Sequence, residues 1–279
     1  MTILDKLPVF EKDYFLQYRP FPIEPKNYYQ AHWHEIVASL IFYTSLQYIS
    51  HIVSPIIFGD TYKNFPRKTR INFDIHVVSM VQCILSIALL IPTINHPFFQ
   101  NRVEDPYNSI FGYTPYGGFV ASVTLGYFVW DTIVCLRYFN LFGPGFLVHG
   151  VSALYVFGLG LRPILLPWIP AFLSFELSTP FVNINWFANR VPSGIFPNWL
   201  VTINGLLLLV TFFCVRILWG FYAIYLLSQD LFKVWHQLPL ILPVSVLSLN
   251  VVLNWLNVYW FTKMVAIARK KFLGKGKTE

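Results

Sequence analysis

Residues Trp199 to Leu227 read WLVTINGLLLLVTFFCVRILWGFYAIYLL, and Arg216 is the one charged side chain among them. A run of this length and polarity suits the hydrocarbon of a bilayer, which takes about 20 mostly apolar residues to cross. Six other stretches read the same way, giving predicted spans at 35–58, 72–94, 117–139, 145–162, 165–187, 199–227 and 238–262. The composition agrees: 56% of the 279 residues are hydrophobic and 12% are charged, against about 25% charged in a soluble domain. A soluble enzyme, a secreted module and a disordered chain are thereby excluded. The expected class is an all-α polytopic membrane helix bundle of about seven transmembrane helices. It divides into an N-terminal lumenal segment at 1–34, a transmembrane domain at 35–265 and a basic cytosolic tail at 266–279.

The formal net charge of +7 does not mark a nucleic-acid binder. Its Lys and Arg residues form no stripe interleaved with base-stacking aromatics; they sit between apolar blocks and at the C-terminus, where they orient a membrane protein. Lys63, Arg67, Lys68 and Arg70 follow the first span, and Arg269, Lys270, Lys271, Lys275 and Lys277 form the tail. With seven spans these two groups share a side. In the N-terminal segment Lys6, Lys12, Arg19 and Lys26 are offset by Asp5, Glu11, Asp13 and Glu24, and Arg102 faces Glu104 and Asp105 in the 95–116 loop. The expected orientation is N-terminus lumenal and C-terminus cytosolic. The first 30 residues contain no apolar signal core, so the first span is expected to act as an uncleaved anchor. Arg162, Pro163, Pro167 and Pro170 crowd the junction of the fourth and fifth spans. Proline removes a backbone donor there, and six spans with a re-entrant fourth or fifth is the alternative.

Ionisable groups in hydrocarbon cost several kcal/mol, so those that occur inside spans face partners or a cavity. Here they are Asp74, His76, Asp131, His149, Glu176 and Arg216, joined by Asn183, Asn250, Asn254 and Asn257. The Gly143-Pro144-Gly145 turn makes the third and fourth spans antiparallel neighbours. At 1.5 Å of rise per residue, His149 then lies roughly 6 Å and Asp131 roughly 12 Å inside the cytosolic boundary. A carboxylate beside an imidazole fixes its tautomer, which suits a general base; the competing reading is an interhelical hydrogen bond that holds the bundle together. Arg216 needs a counter-charge, expected from Glu176 or Asp131. Asp74 and His76 are expected to reach the interface, while His32, His34, His96 and His236 fall at span edges or in loops with no assigned role. Cys83, Cys135 and Cys214 lie far apart in apolar blocks, without metal spacing or a disulfide framework. No metal site is expected. No nucleophile elbow, H-E-x-x-H helix or P-loop lysine is present, and no internal repeat supports a transporter built from two halves.

Four stretches give the chain a likeness. They are Gly126-Tyr127-Phe128-Val129-Trp130-Asp131, Leu147-Val148-His149-Gly150-Val151-Ser152, Phe175-Glu176-Leu177-Ser178-Thr179-Pro180-Phe181-Val182-Asn183 and Leu256-Asn257-Val258-Tyr259-Trp260-Phe261. Together they resemble the TLC-domain family, which includes the ceramide synthases, and are most similar to its TLC domain-containing branch. The third stretch is the most specific. The resemblance covers roughly residues 70–270 and implies six helices around a central lipid-accessible cavity, plus one extra N-terminal helix, in the endoplasmic reticulum. In the ceramide synthases two adjacent histidines line that cavity and serve acyl transfer. His149 matches the first of them, and Gly150 stands where the second would be.

The expected function is therefore lipid handling. The cavity binds an acyl chain or sphingolipid-like lipid and affects membrane lipid homeostasis, with membrane lipids as partners and no resident cofactor. The alternative is an acyl-CoA-dependent N-acyltransferase, ceramide-synthase-like, with acyl-CoA as co-substrate, His149 as base and Asp131 or Glu176 orienting it. A small-molecule transporter is the lesser alternative. Glu176, Arg216, Asn183 and Asn257 are the expected polar residues of the cavity. A homodimer is compatible with the sequence, though no feature calls for one.

Overall fold

The computed structural model describes residues 6–100, 104–192 and 195–274. Arg102, Lys275 and Lys277, and with them part of the expected basic tail, lie outside the described residues. Among the described residues the chain is helical and has no strand, as an all-α membrane bundle requires. Eight helices carry the architecture: α1 (Tyr28–Ile57), α2 (Arg67–Leu90), α3 (Pro115–Arg137), α4 (Pro144–Leu159), α5 (Thr179–Ala188), α6 (Asn198–Phe212), α7 (Trp219–Val234) and α8 (Ile241–Gly274). Helical runs at Tyr28–Ile57, Arg67–Thr93, Pro106–Arg137, Asn198–Gln237 and Ile241–Lys270 are long and apolar enough to cross a membrane.

Local chemistry sets the helix limits. The Asn27 side chain accepts the backbone N–H of Gln30 at 2.9 Å and caps α1, so that helix begins at Tyr28 rather than at 35. The residues gained, Tyr28 to His34, are too polar to be read as span. Thr114 caps α3 in the same way, accepting from Gly117 N–H at 3.0 Å, with Pro115 in the first turn, where its missing donor costs nothing. Gly143 adopts φ 80°, a left-handed conformation that glycine takes without steric cost, and turns the chain into α4 as the sequence suggested.

The fourth and fifth spans depart from regular helices. α4 has 16 residues. The fifth span breaks into a 3₁₀ turn at Leu166–Trp168, a short helix at Ile169–Leu173, a second 3₁₀ segment at Ser174–Ser178 and then α5. Pro167, Pro170 and Pro180 each fall in the first turn of one of these pieces, the position the ring tolerates, so prolines divide the span instead of kinking one helix.

Six elements close into a ring. α2 packs on α5, α5 on α6, α7 on α8, α8 on α4, α4 on α3, and α3 on α2. α6 and α7 form one continuous helical rod. α1 lies outside, across α2 and α3, with small residues allowing close approach: a side chain on Gly126 would meet Ile36 O and Ser39 Cβ at 2.5 Å. Ser39 Oγ donates to Val123 O at 2.7 Å, and Tyr43 donates to Gln82. This cyclic order, with one helix outside, is the arrangement expected from the sequence likeness.

Candidate functional site

The unusual local geometry of the bundle converges on Arg216. The middle of the α6–α7 rod, Phe213–Leu218, is a π-helical segment, in which the Trp219 N–H reaches back to Cys214 O. Such a bulge is an inserted residue in an α-helix and is concentrated at functional sites. Arg216 sits on it, buried. Its Nε donates to Ser178 Oγ at 2.9 Å and its Nη2 to Thr179 Oγ1 at 3.0 Å. The guanidinium carbon stands 5.2 Å from the Phe212 ring centre and 5.9 Å from that of Phe175. The expected ion pair is absent among the described residues: Arg216 is anchored by hydroxyls and aromatic faces. Glu176 and Arg216 are nonetheless within electrostatic range of each other.

Asp131 and Glu176 lie within electrostatic range of one another, as do Arg216 and His149. Asp131, His149 and Glu176 are half-buried. The structure thus collects the four ionisable residues singled out in the sequence, from α3, α4, the 3₁₀ segment and the π segment, into one region of the ring. Tyr127 precedes Asp131 by one turn on α3 and stacks on Trp130 with ring centres 5.5 Å apart.

Asp131 and His149 do not hydrogen-bond to each other among the described residues. Asp131 turns toward Gly150: a Cβ at that position would come 2.8 Å from Asp131 Oδ2 and 3.3 Å from Thr132 Oγ1. The carboxylate occupies the space that a second histidine would need. The His149 ring packs edge-on between Phe128 and Trp260, at 6.2 and 5.7 Å, and its nitrogens have no hydrogen-bond partner among the described residues. An unengaged imidazole on an aromatic wall, in a region that also holds a guanidinium, can receive the polar head of an amphiphile. It can also act as a base once a bound group orients it.

A surface cleft of about 790 Å³ is not lined by any of the four ionisable residues; Ile87, Leu90, Ser174, Leu177, Val215 and Trp219 contribute to its mainly apolar wall. Leu177 and Val215 are the chain neighbours of Glu176 and Arg216, so the polar set and the apolar cleft adjoin through the backbone of two elements.

Other expected polar residues have structural duties. Asn183 receives His76 Nδ1 at 2.7 Å and donates to Ser79 Oγ at 3.1 Å, tying α5 to α2, while His76 stacks on Trp186 at 4.3 Å. Asp74 is buried. It accepts from Ser50 Oγ at 2.7 Å and from Tyr62 OH at 2.9 Å, with His51 Nδ1 at 3.2 Å. Asn250 bonds back to Val246 O in its own helix, Asn254 reaches Gly220 O at 3.4 Å, and Asn257 is buried in α8.

One cluster escaped the sequence reading. His32, set aside as a span-edge residue, is fully buried with Glu35 and the Asp13 side chain. Burial first, and then the neighbouring Glu35, push the Asp13 carboxyl up to about 7. Asp13 and His32 are too far apart in sequence for spacing to have joined them; only the His32/Glu35 pair, three residues apart on one helix face, carried a signal.

Comparison with known proteins matches residues 72–266 to the family described as TLC domain. The chain is 41% identical over 251 residues to Topoisomerase I damage affected protein 4 of Saccharomyces cerevisiae, covering 88% of this chain and 87% of that protein. It is 36% identical to an uncharacterized TLC domain-containing protein of Schizosaccharomyces pombe over 88% of this chain and 82% of that one. TLC domain-containing protein 4 of Homo sapiens is 32% identical over 51% of this chain and 55% of its own length.

Proposed function

On the premise that this chain belongs to the TLC-domain family, a membership that points to a membrane lipid-related role, we propose that it binds an acyl lipid in the ring interior and so affects membrane lipid homeostasis. One observation carries the reading: Asp131, His149, Glu176 and Arg216 come together from four elements in a region where isolated charge is costly. An amphiphile explains both halves of the site, its polar head meeting these groups and its chain lying along the apolar cleft. That cleft falls in the size range of small-molecule sites, about 300–1,000 Å³. The endoplasmic reticulum is the membrane in which such a lipid binder would work, with the N-terminus lumenal and the end carrying Lys63–Arg70 and the C-terminal end of α8 cytosolic. Short loops rich in Lys and Arg support that orientation.

Purified full-length protein, analysed by mass spectrometry for co-purifying lipid, tests the reading. Wild type is expected to retain one lipid class that Arg216→Met loses, and deletion of the protein shifts the abundance of that class in cells. Equal lipid content in wild type and variant, with an unchanged lipidome, removes the proposal.

A second reading, CoA-dependent N-acyl transfer, is favoured by the unengaged imidazole of His149. The amine of a long-chain base would donate its proton to His149 as nitrogen attacks the thioester carbonyl, and the imidazolium would return that proton to the sulfur as the C–S bond breaks, so that CoA leaves as the thiol. General-base catalysis is worth about 10²–10⁴-fold, so His149→Ala lowers amide formation by at least about a hundredfold if the reaction occurs. Amide formation that survives in His149→Ala rejects this mechanism and leaves lipid binding standing.

A further inference from the structure

We propose that Asp13, His32 and Glu35 form a binding site for a divalent transition-metal ion of the zinc type, which staples the N-terminal segment to α1. One oxygen or nitrogen from each of the three residues lies within 4.8 Å of the others. His32 Nδ1 is 3.5 Å from Asp13 Oδ2 and 2.7 Å from Glu35 Oε2. The side chains of Asp13 and His32 are 0% exposed and that of Glu35 is 4% exposed. Asp13 Oδ2 and Glu35 Oε1, both buried, have no hydrogen-bond partner among the described residues. Unpaired buried carboxylate oxygens are expensive, and a cation shared between them and the imidazole would remove that cost.

The neighbouring cation does not fill that role. Arg19 directs Nε to Pro22 O at 2.9 Å, Nη1 to Ala31 O at 3.2 Å and Nη2 to Ile23 O at 3.2 Å. His34 Nε2 stands 3.7 Å from Glu35 Oε1 but bonds Phe15 O at 3.0 Å.

The surroundings hold the three donors in place. Asp13 Oδ1 accepts the Phe15 N–H at 2.8 Å, which aims Oδ2 inward. His32 Nε2 bonds Tyr113 OH at 2.8 Å, the outer partner that orients a metal-ligating imidazole. Gly118 makes room for that ring, since a Cβ there would come 2.4 Å from Nε2.

Bonds of 2.0–2.1 Å in a tetrahedral site place ligand atoms about 3.4 Å apart. The 3.5 Å Asp13–His32 spacing is close to that value, and Glu35 Oε2, now 2.7 Å from the ring nitrogen, would move outward to match it. One imidazole and two carboxylates suit zinc or a similar first-row ion, whereas calcium takes six to eight oxygens. The fourth position is left for water.

The test uses full-length protein purified without a histidine tag, equilibrated with equimolar Zn²⁺, desalted and assayed for metal, in parallel with Co²⁺ as a spectroscopic probe. Wild type is expected to hold about one ion per chain, to show the visible absorption of tetrahedral Co²⁺ and to lose thermal stability on chelation. Asp13→Asn, a near-isosteric change outside the ring, is expected to lower metal content at least tenfold and to abolish the chelator effect. Glu35→Gln supplies a second variant should the first not fold. Wild type without retained metal overturns the proposal, and so does a folded variant that retains as much as wild type.

Discussion

Gly150 shows how a single missing side chain shapes the site. Asp131 lies against its Cα, and any Cβ would press on the carboxylate at 2.8 Å. Overpacking of this kind costs about 1–3 kcal/mol. Gly150→Ala is therefore expected to lower the thermal unfolding midpoint in detergent, and adding Asp131→Ala is expected to restore most of the loss. Two independent, additive effects instead would show that the carboxylate is not what fills the space. The sequence alone could say that a histidine is missing at 150 but not what took its place, because that depends on how closely α3 and α4 approach. Arg216 gives the same lesson from the other side. Charge arithmetic suggested a carboxylate partner, whereas Ser178 and Thr179 hold the guanidinium. Hydroxyls placed by a 3₁₀ turn are hard to foresee from spacing.

At the scale of the element, the informative departures are the π segment and the divided fifth span. Both occur in stretches whose apolar character was plain in the sequence. The proline breaks were legible, since Pro163, Pro167 and Pro170 crowd the junction. The π segment was not: Phe213 to Leu218 contains no glycine or proline, and an extra residue in a helix leaves no compositional mark. Removing Cys214 should convert the segment to regular α-helix and keep α6 and α7 in register, because a π-bulge is one inserted residue. The expected result is unchanged helical content by circular dichroism, with lipid retention reduced to the level of Arg216→Met. Full lipid retention in that deletion would detach the bulge from the site.

For the whole molecule, the ring order predicts which ends meet. The turns at 58–66, 138–143 and 189–192 and the end of α8 lie at one end, and residues 6–27, 94–100, 104–114 and 160–168 lie at the other. In microsomes, an impermeant maleimide should reach Lys63→Cys from the cytosolic face and Glu24→Cys only after permeabilisation, both positions being exposed. Labelling of both from one face would contradict a crossing by α1. By itself the sequence determined the membrane class, the helical fold and most of the spans, and it singled out four ionisable residues, because hydropathy and the rarity of charge in hydrocarbon are read one residue at a time. Tertiary structure alone decided that Asp131 faces Gly150 rather than His149, that hydroxyls hold Arg216, and that Asp13 meets His32 and Glu35. These are contacts between segments, and their distances follow from helix packing and chain reversal, which local pattern does not encode.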